Sequence, residues 1–184
     1  MIELFKQYFI NLYQEVPIPM SVYEGLLSVF CMGTVLIFAI YGFRSGWKKG
    51  AGLLLIEYIF LIYCSTVIFR TSVENVGHDF MPFWSYLAIL DGRKELIPEN
   101  IMNVVVFIPI GILLGVTTSR WKMFDGRWKK GWQVALIIGT GLGISISIET
   151  MQYFFHRGFA ELDDVMHNTT GCLIGLVVLI NRRT

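Results

Sequence analysis

Apolar residues run through this chain in long blocks divided by short polar stretches. A helix needs roughly 20 mostly apolar residues to cross the hydrocarbon core of a bilayer. Five blocks reach or approach that length: Val22–Phe43, Gly50–Phe69, Asn100–Thr118, Trp132–Phe155 and Asp163–Ile180. The third and fifth open on polar residues, so their ends are set only to within several positions. The pattern predicts an all-α integral membrane bundle of about five transmembrane helices. It forms one domain over residues 1–184, with spans at about 22–43, 50–69, 100–118, 132–155 and 163–180.

Two further segments read as interfacial. In residues 1–21, Ile2, Phe5, Phe9 and Leu12 recur at near-helical spacing, opposite Glu3, Lys6, Gln7, Asn11 and Gln14. That is an amphipathic helix lying on the membrane, ended by Pro17 and Pro19. In the loop 70–99, Met81–Leu90 is apolar but too short to span, and reads as a surface segment or an inward-dipping cover. Pro109 removes one backbone bond from the third span and predicts a kink.

Lys and Arg orient the bundle, because short cytoplasmic loops carry their excess. Arg44, Lys48 and Lys49 fall in one loop, five more between Arg120 and Lys130, and Arg182 and Arg183 in the C-terminal tail. The opposite side holds only Lys6, Arg70, Arg93, Lys94 and Arg157, spread over many more residues. The N-terminus is therefore expected outside and the C-terminus inside, in a multi-pass membrane protein.

Composition agrees: 54% of residues are hydrophobic and 16% charged, too few charges to cover a soluble domain of this size. No basic tract long enough to grip nucleic acid occurs. Cys31, Cys64 and Cys172 sit inside apolar runs at unrelated spacings, so they predict neither a metal site nor a disulfide framework. Gly139–Gly143 has the wrong spacing for a nucleotide-binding loop and lies mid-span, and no cofactor is expected. The N-terminus does not read as a cleaved signal peptide. Glu57 sits about 10 Å into the second span with no evident partner. His78 reads as an idle loop residue.

The remaining polar residues gather at one depth. Asn100 and Asn103 open the third span, and Glu149 lies roughly 26 Å along the fourth, near its outer boundary. Gln152 follows a turn later, and Asp163, Asp164, His167 and Asn168 open the fifth, with Asp163 as its natural N-cap. Asp164, Asn168, Gly171 and Gly175 share one helical stripe. Glycines also recur four apart as Gly111/Gly115 and Gly139/Gly143, a spacing that lets membrane helices approach closely. The expected ligand-binding set is Asn103, Glu149, Gln152, Asp163, Asp164 and Asn168, with Arg70 and Arg157 as counter-charges. The same groups could instead merely fasten the helices together. Ionisable groups this deep point to function.

Several of these residues form a recognisable series. Asn100-x-x-Asn103-x-x-x-Phe107-Ile108-Pro109-Ile110-Gly111, Glu149-x-x-Gln152, Arg157 and Asp163-Asp164-x-x-x-Asn168-x-x-Gly171-x-x-x-Gly175 resemble the motifs of the VanZ-like family, over roughly residues 35–180. Met81-Pro82-Phe83 resembles that family's apolar stretch before the asparagine motif. The resemblance implies a small bacterial membrane protein linked to low-level resistance to teicoplanin, a lipid-bearing glycopeptide. It implies no settled biochemical activity.

Three functions fit. The outer polar pocket binds a lipophilic glycopeptide or lipid-linked cell-wall component at the membrane–water boundary, among membrane lipids. Alternatively, Glu149 and Asp164 act as an acid/base pair on a lipid-linked substrate, or Asp163 and His167 help them hold a cation. A transporter comes third, because five spans without an inverted repeat make a poor single-chain carrier.

Overall fold

The computed structural model describes residues 1–14, 30, 33–34, 47–70, 72–74, 77–118 and 129–181. Nearly all of the expected span at 22–43 lies outside them, as do Pro17, Pro19, Cys31 and most of the basic loop after residue 118. The described elements are α1 (Ile2–Gln14), α2 (Trp47–Tyr63), β1 (His78–Asp79), α3 (Trp84–Leu90), α4 (Leu96–Thr118), α5 (Lys129–Phe154), β2 (Ala160–Glu161) and α6 (Leu162–Asn181). A π-turn, Cys64–Ile68, continues α2.

Among the described residues, three helical stretches are long and apolar enough to cross a membrane: Gly50–Ile68, Leu96–Thr118 and Gly131–Phe154. Leu53, Ile56 and Phe60 on α2, Val105 on α4 and Ile146 on α5 face outward although apolar. Helices apolar all round are membrane spans or the buried cores of large proteins, and this chain is too small for the latter. α6 has 20 residues, but Asp163, Asp164, His167, Asn168, Thr169 and Thr170 make its first turns polar. It is not among the three stretches. The expected all-α class holds apart from one detail: β1 and β2 pair in parallel, His78 with Ala160 and Asp79 with Glu161.

α4 and α6 form the centre of the bundle. A Cβ on Gly111 would fall on the carbonyl of Cys172, one on Gly171 on that of Val104, and one on Gly175 on that of Ile108. Only glycine lets these backbones meet, which is how helices associate where lipid removes the hydrophobic drive. Gly139 and Gly143 depart from the expectation, since among the described residues nothing lies within 4 Å of a Cβ placed there. Gly141 faces Cys172 instead.

Polar side chains tie the bundle at both ends. Gln133 on α5 donates to the Gly115 carbonyl (3.0 Å) and to the Thr118 hydroxyl (3.1 Å) at the end of α4. α4 runs on through Pro109, and the Tyr58 hydroxyl donates to the nearby Val106 carbonyl at 2.8 Å. Glu57 lies beside Gly33, whose Cβ would strike its carboxyl.

α1 is helical as far as Gln14, with Gln7 donating to Asn11 at 2.9 Å. Its Ile2 and Ile10 are exposed.

Candidate functional site

The first turn of α6 organises the site. Asp163, only 1% exposed, reaches across to α3: Oδ1 accepts from the Phe83 amide at 2.6 Å. Its Oδ2 accepts from the Ser85 amide (2.9 Å) and hydroxyl (2.6 Å). It therefore satisfies the orphan amides of another helix rather than capping its own. Asn100 donates to the same Ser85 hydroxyl at 3.0 Å, and Tyr86 hydrogen-bonds His167 Nε2 at 2.8 Å. Phe83 takes a left-handed backbone (φ 64°), a strained conformation held by this clasp. The apolar segment after Met81 is thus pinned across the ends of α4 and α6.

Asp164, on the next face, accepts from Asn103 Nδ2 at 2.7 Å. Glu149, near the end of α5 and 6% exposed, accepts the Glu161 backbone amide at 3.0 Å. Asp164, Glu161 and Arg70 all lie close enough to act on the Glu149 charge. Arg70 acts on Asp164 as well, and its guanidinium lies over Gly158. Five predicted or newly found groups thus meet electrostatically: Asn103, Glu149, Glu161, Asp164 and Arg70.

The other expected residues hold the walls. Gln152 donates to the Thr66 carbonyl in the π-turn of α2 (3.0 Å), fastening α5 to that helix. Arg157 donates to the Arg70 carbonyl, so it locks the loop rather than facing a carboxylate. Asn168 donates to the Ser145 hydroxyl at 2.8 Å, joining α6 to α5. Among the described residues, Asn168 Oδ1 and His167 Nδ1 are buried without a partner.

Between the C-terminal half of α5 and the first turn of α6 lies a cavity of about 570 Å³. That size suits a small-molecule ligand. Leu142, Ile146, Tyr153, Phe154, Leu162 and Val165 make its walls apolar. Glu149 and Glu161 are its two acidic side chains, and His78 and Phe80 close one side. Leu142, Ile146 and Phe154 are also exposed, so the cavity opens sideways along the apolar face of α5. Burial, then the Asp164 charge, push the Glu161 carboxyl up to about 8.

Glu161 and His78 were not among the expected site residues. Both arrive through the β1–β2 pair, and a two-residue bridge leaves no periodic signal. Glu161 alone had a hint, as an acid just before the Asp163-Asp164 motif. Among the described residues, no three His, Cys, Asp or Glu are placed to share a metal ion. Both Asp163 oxygens already accept bonds from α3, which leaves them poorly disposed toward a cation.

The family model described as VanZ/LLP1 matches residues 25–183. This chain belongs to the VanZ/LLP1 family. Protein VanZ of Enterococcus faecium is 32% identical to it over 78 residues, a stretch covering 42% of this chain and 42% of that protein. No solved structure matches. Membership agrees with apolar helices of spanning length; the polar VanZ-like motif residues gather near one end of α4, α5 and α6, and the motif glycines Gly111, Gly171 and Gly175 lie along the α4–α6 seam.

Proposed function

We propose that this VanZ/LLP1 member holds a lipophilic amphiphile at the extracytoplasmic boundary of the bacterial plasma membrane. The occupant is a lipid-bearing glycopeptide of the teicoplanin type or a lipid-linked cell-wall component. Its acyl chain lies in the cavity between α5 and α6, and its polar head meets Glu149 and Glu161. Low-level resistance then follows from withholding the drug or shielding its target.

One observation carries this reading: an apolar cavity open along α5 that ends on two carboxylates. Chain and head of an amphiphile require these two environments in this order. Asn103 and Arg70 hold Asp164 and Glu149, while Asp163, Gln152, Arg157 and Asn168 keep the walls in place. The distribution of Lys and Arg supports the outward placement of this end. It also supports five spans, with residues 22–43 and α6 completing the set, α1 at the interface, the N-terminus outside and the C-terminus inside.

The test is binding to the full chain in lipid nanodiscs, using teicoplanin and teicoplanin stripped of its acyl chain. The intact drug is expected to bind, the stripped drug at least tenfold more weakly, and Ile146→Trp to remove the difference. Equal binding of both would sink the reading.

A second reading rests on the proximity of Glu149 and Asp164, which suits an acid/base pair acting on a lipid-linked substrate. It requires a changed cell-wall precursor profile on expression that disappears in Asp164→Asn.

A further inference from the structure

The charges around the cavity are one-sided. Glu149 and Glu161 are its acidic lining, and among the described residues no Lys or Arg lines it. The charges acting most strongly on Glu161 are those of Asp164, Glu99, Asp79 and Asp163, every one an acid. Arg70 is a cation acting on Glu149 and Asp164, and its guanidinium lies over Gly158, outside the cavity lining. β1 adds to the imbalance, because its pairing with β2 sets Asp79 beside Glu161. Carboxylates gathered in a low-dielectric site are costly unless a positive charge joins them.

We propose that the cavity is selective for amphiphiles whose head carries a protonated amine, with the ammonium between Glu149 and Glu161 and the chain along Leu142 and Ile146. An ammonium draws the two acids into their ionised form by giving them a counter-charge, whereas a neutral head offers none and an anionic head opposes it. The proposal rests on the amphiphile-binding reading above and adds the charge of the head. The ammonium supplies up to three donors, enough to bridge two carboxylates while keeping one bond for water. The sideways opening along α5 admits it from the bilayer, where such molecules partition. Two sources share this chemistry, an amine-headed membrane lipid and an acylated peptide with a free amino group.

The experiment uses the full chain in nanodiscs of zwitterionic lipid and three probes of equal chain length, octadecylamine, octadecanol and octadecanoate. The amine is expected to bind at least tenfold more tightly than the alcohol, and the carboxylate most weakly. Glu161→Gln is expected to erase the amine's advantage over the alcohol, and Glu161→Asp to restore most of it. Ile146→Trp, which narrows the apolar part of the cavity and leaves both acids in the chain, is expected to weaken amine and alcohol alike.

Binding of amine and alcohol with equal affinity overturns the charge proposal and leaves the cavity reading standing. Binding of none of the three overturns both. An advantage for octadecanoate, or an amine preference that survives Glu161→Gln together with Glu149→Gln, also overturns the proposal. Displacement of bound octadecylamine by a lysyl phospholipid assigns the lipid source, and by an N-acyl peptide with a free lysine amine the peptide source. Either result supports selection of the ammonium, and failure of both overturns it.

Discussion

Two seams run along α6, and they are built differently. On one side α4 meets it backbone to backbone, because Gly111, Gly171 and Gly175 present nothing that would hold the helices apart. On the other side α5 touches it at Gly141 and through the Asn168–Ser145 bond, and toward Phe154 a cavity lies between the two helices. The same four-residue glycine spacing occurs in both α4 and α5. In α4 it closes a seam; in α5 Gly139 and Gly143 face open space. Small residues permit close approach but do not cause it. What decides is whether the opposing helix presents backbone or bulk at the matching height. The closed seam makes a rigid base, and the open one leaves room for a ligand.

The comparison breaks most severely at the closed seam. Gly171→Val drives a branched side chain into the Val104 carbonyl, and is expected to cost about 3 kcal/mol or more. Loss of monodisperse protein in detergent, or a sharply lowered Tm, is the measurement. An unchanged Tm would show that the seam gives way.

Next comes the clasp over the site. Asp163→Asn replaces one carboxylate oxygen with a donor that faces amide donors of α3, and is expected to cost about 2 kcal/mol. Faster proteolysis between His78 and Leu90, with α4 and α5 still protected, would show that the clasp alone has opened. Uniform protection would show that α3 is held by other contacts.

A smaller effect separates the open seam from the closed one through pH. The Glu161 carboxyl stands at about 8 against an ordinary 4.5. The folded protein therefore keeps a proton there that the unfolded chain has released. The stability from this group is full below pH 4.5 and declines as pH rises toward 8. Thermal unfolding across this window is expected to show a falling Tm that is shallower in Glu161→Gln. An identical slope in the variant would mean that burial of this carboxyl carries no such cost.

Smallest of all is Gly143→Ala on the open side. Its Cβ meets nothing, so Tm is expected to stay or rise by the equivalent of at most about 1 kcal/mol. A marked loss would mean that α5 packs against something at this point.

Much of the bundle was legible in the chain. The apolar blocks at 50–69, 100–118 and 132–155 overlap the three stretches able to cross a membrane, because block length alone sets that property. Depth and helical phase brought Asn103, Glu149 and Asp164 to one level, and the structure places them near one another. The partners of Asp163 could not be read, since they lie about 80 positions away in a segment with no helical period of its own. Gln152, Arg157 and Asn168 looked like ligand-facing groups because a polar residue in an apolar helix announces only that it needs a partner. It does not say whether that partner is a ligand, a carbonyl or a hydroxyl.

The sequence by itself determined that the helices are apolar, that the VanZ/LLP1 motifs recur in order, and that acids and amides cluster at common heights. These follow from composition and from the fixed rise of a helix. Only the tertiary structure decided which glycines touch, which acids are clasped, and that Glu161 and His78 join a cavity. Those outcomes depend on the relative height and separation of helices distant in the chain. A gap between two helices is a property of neither one alone.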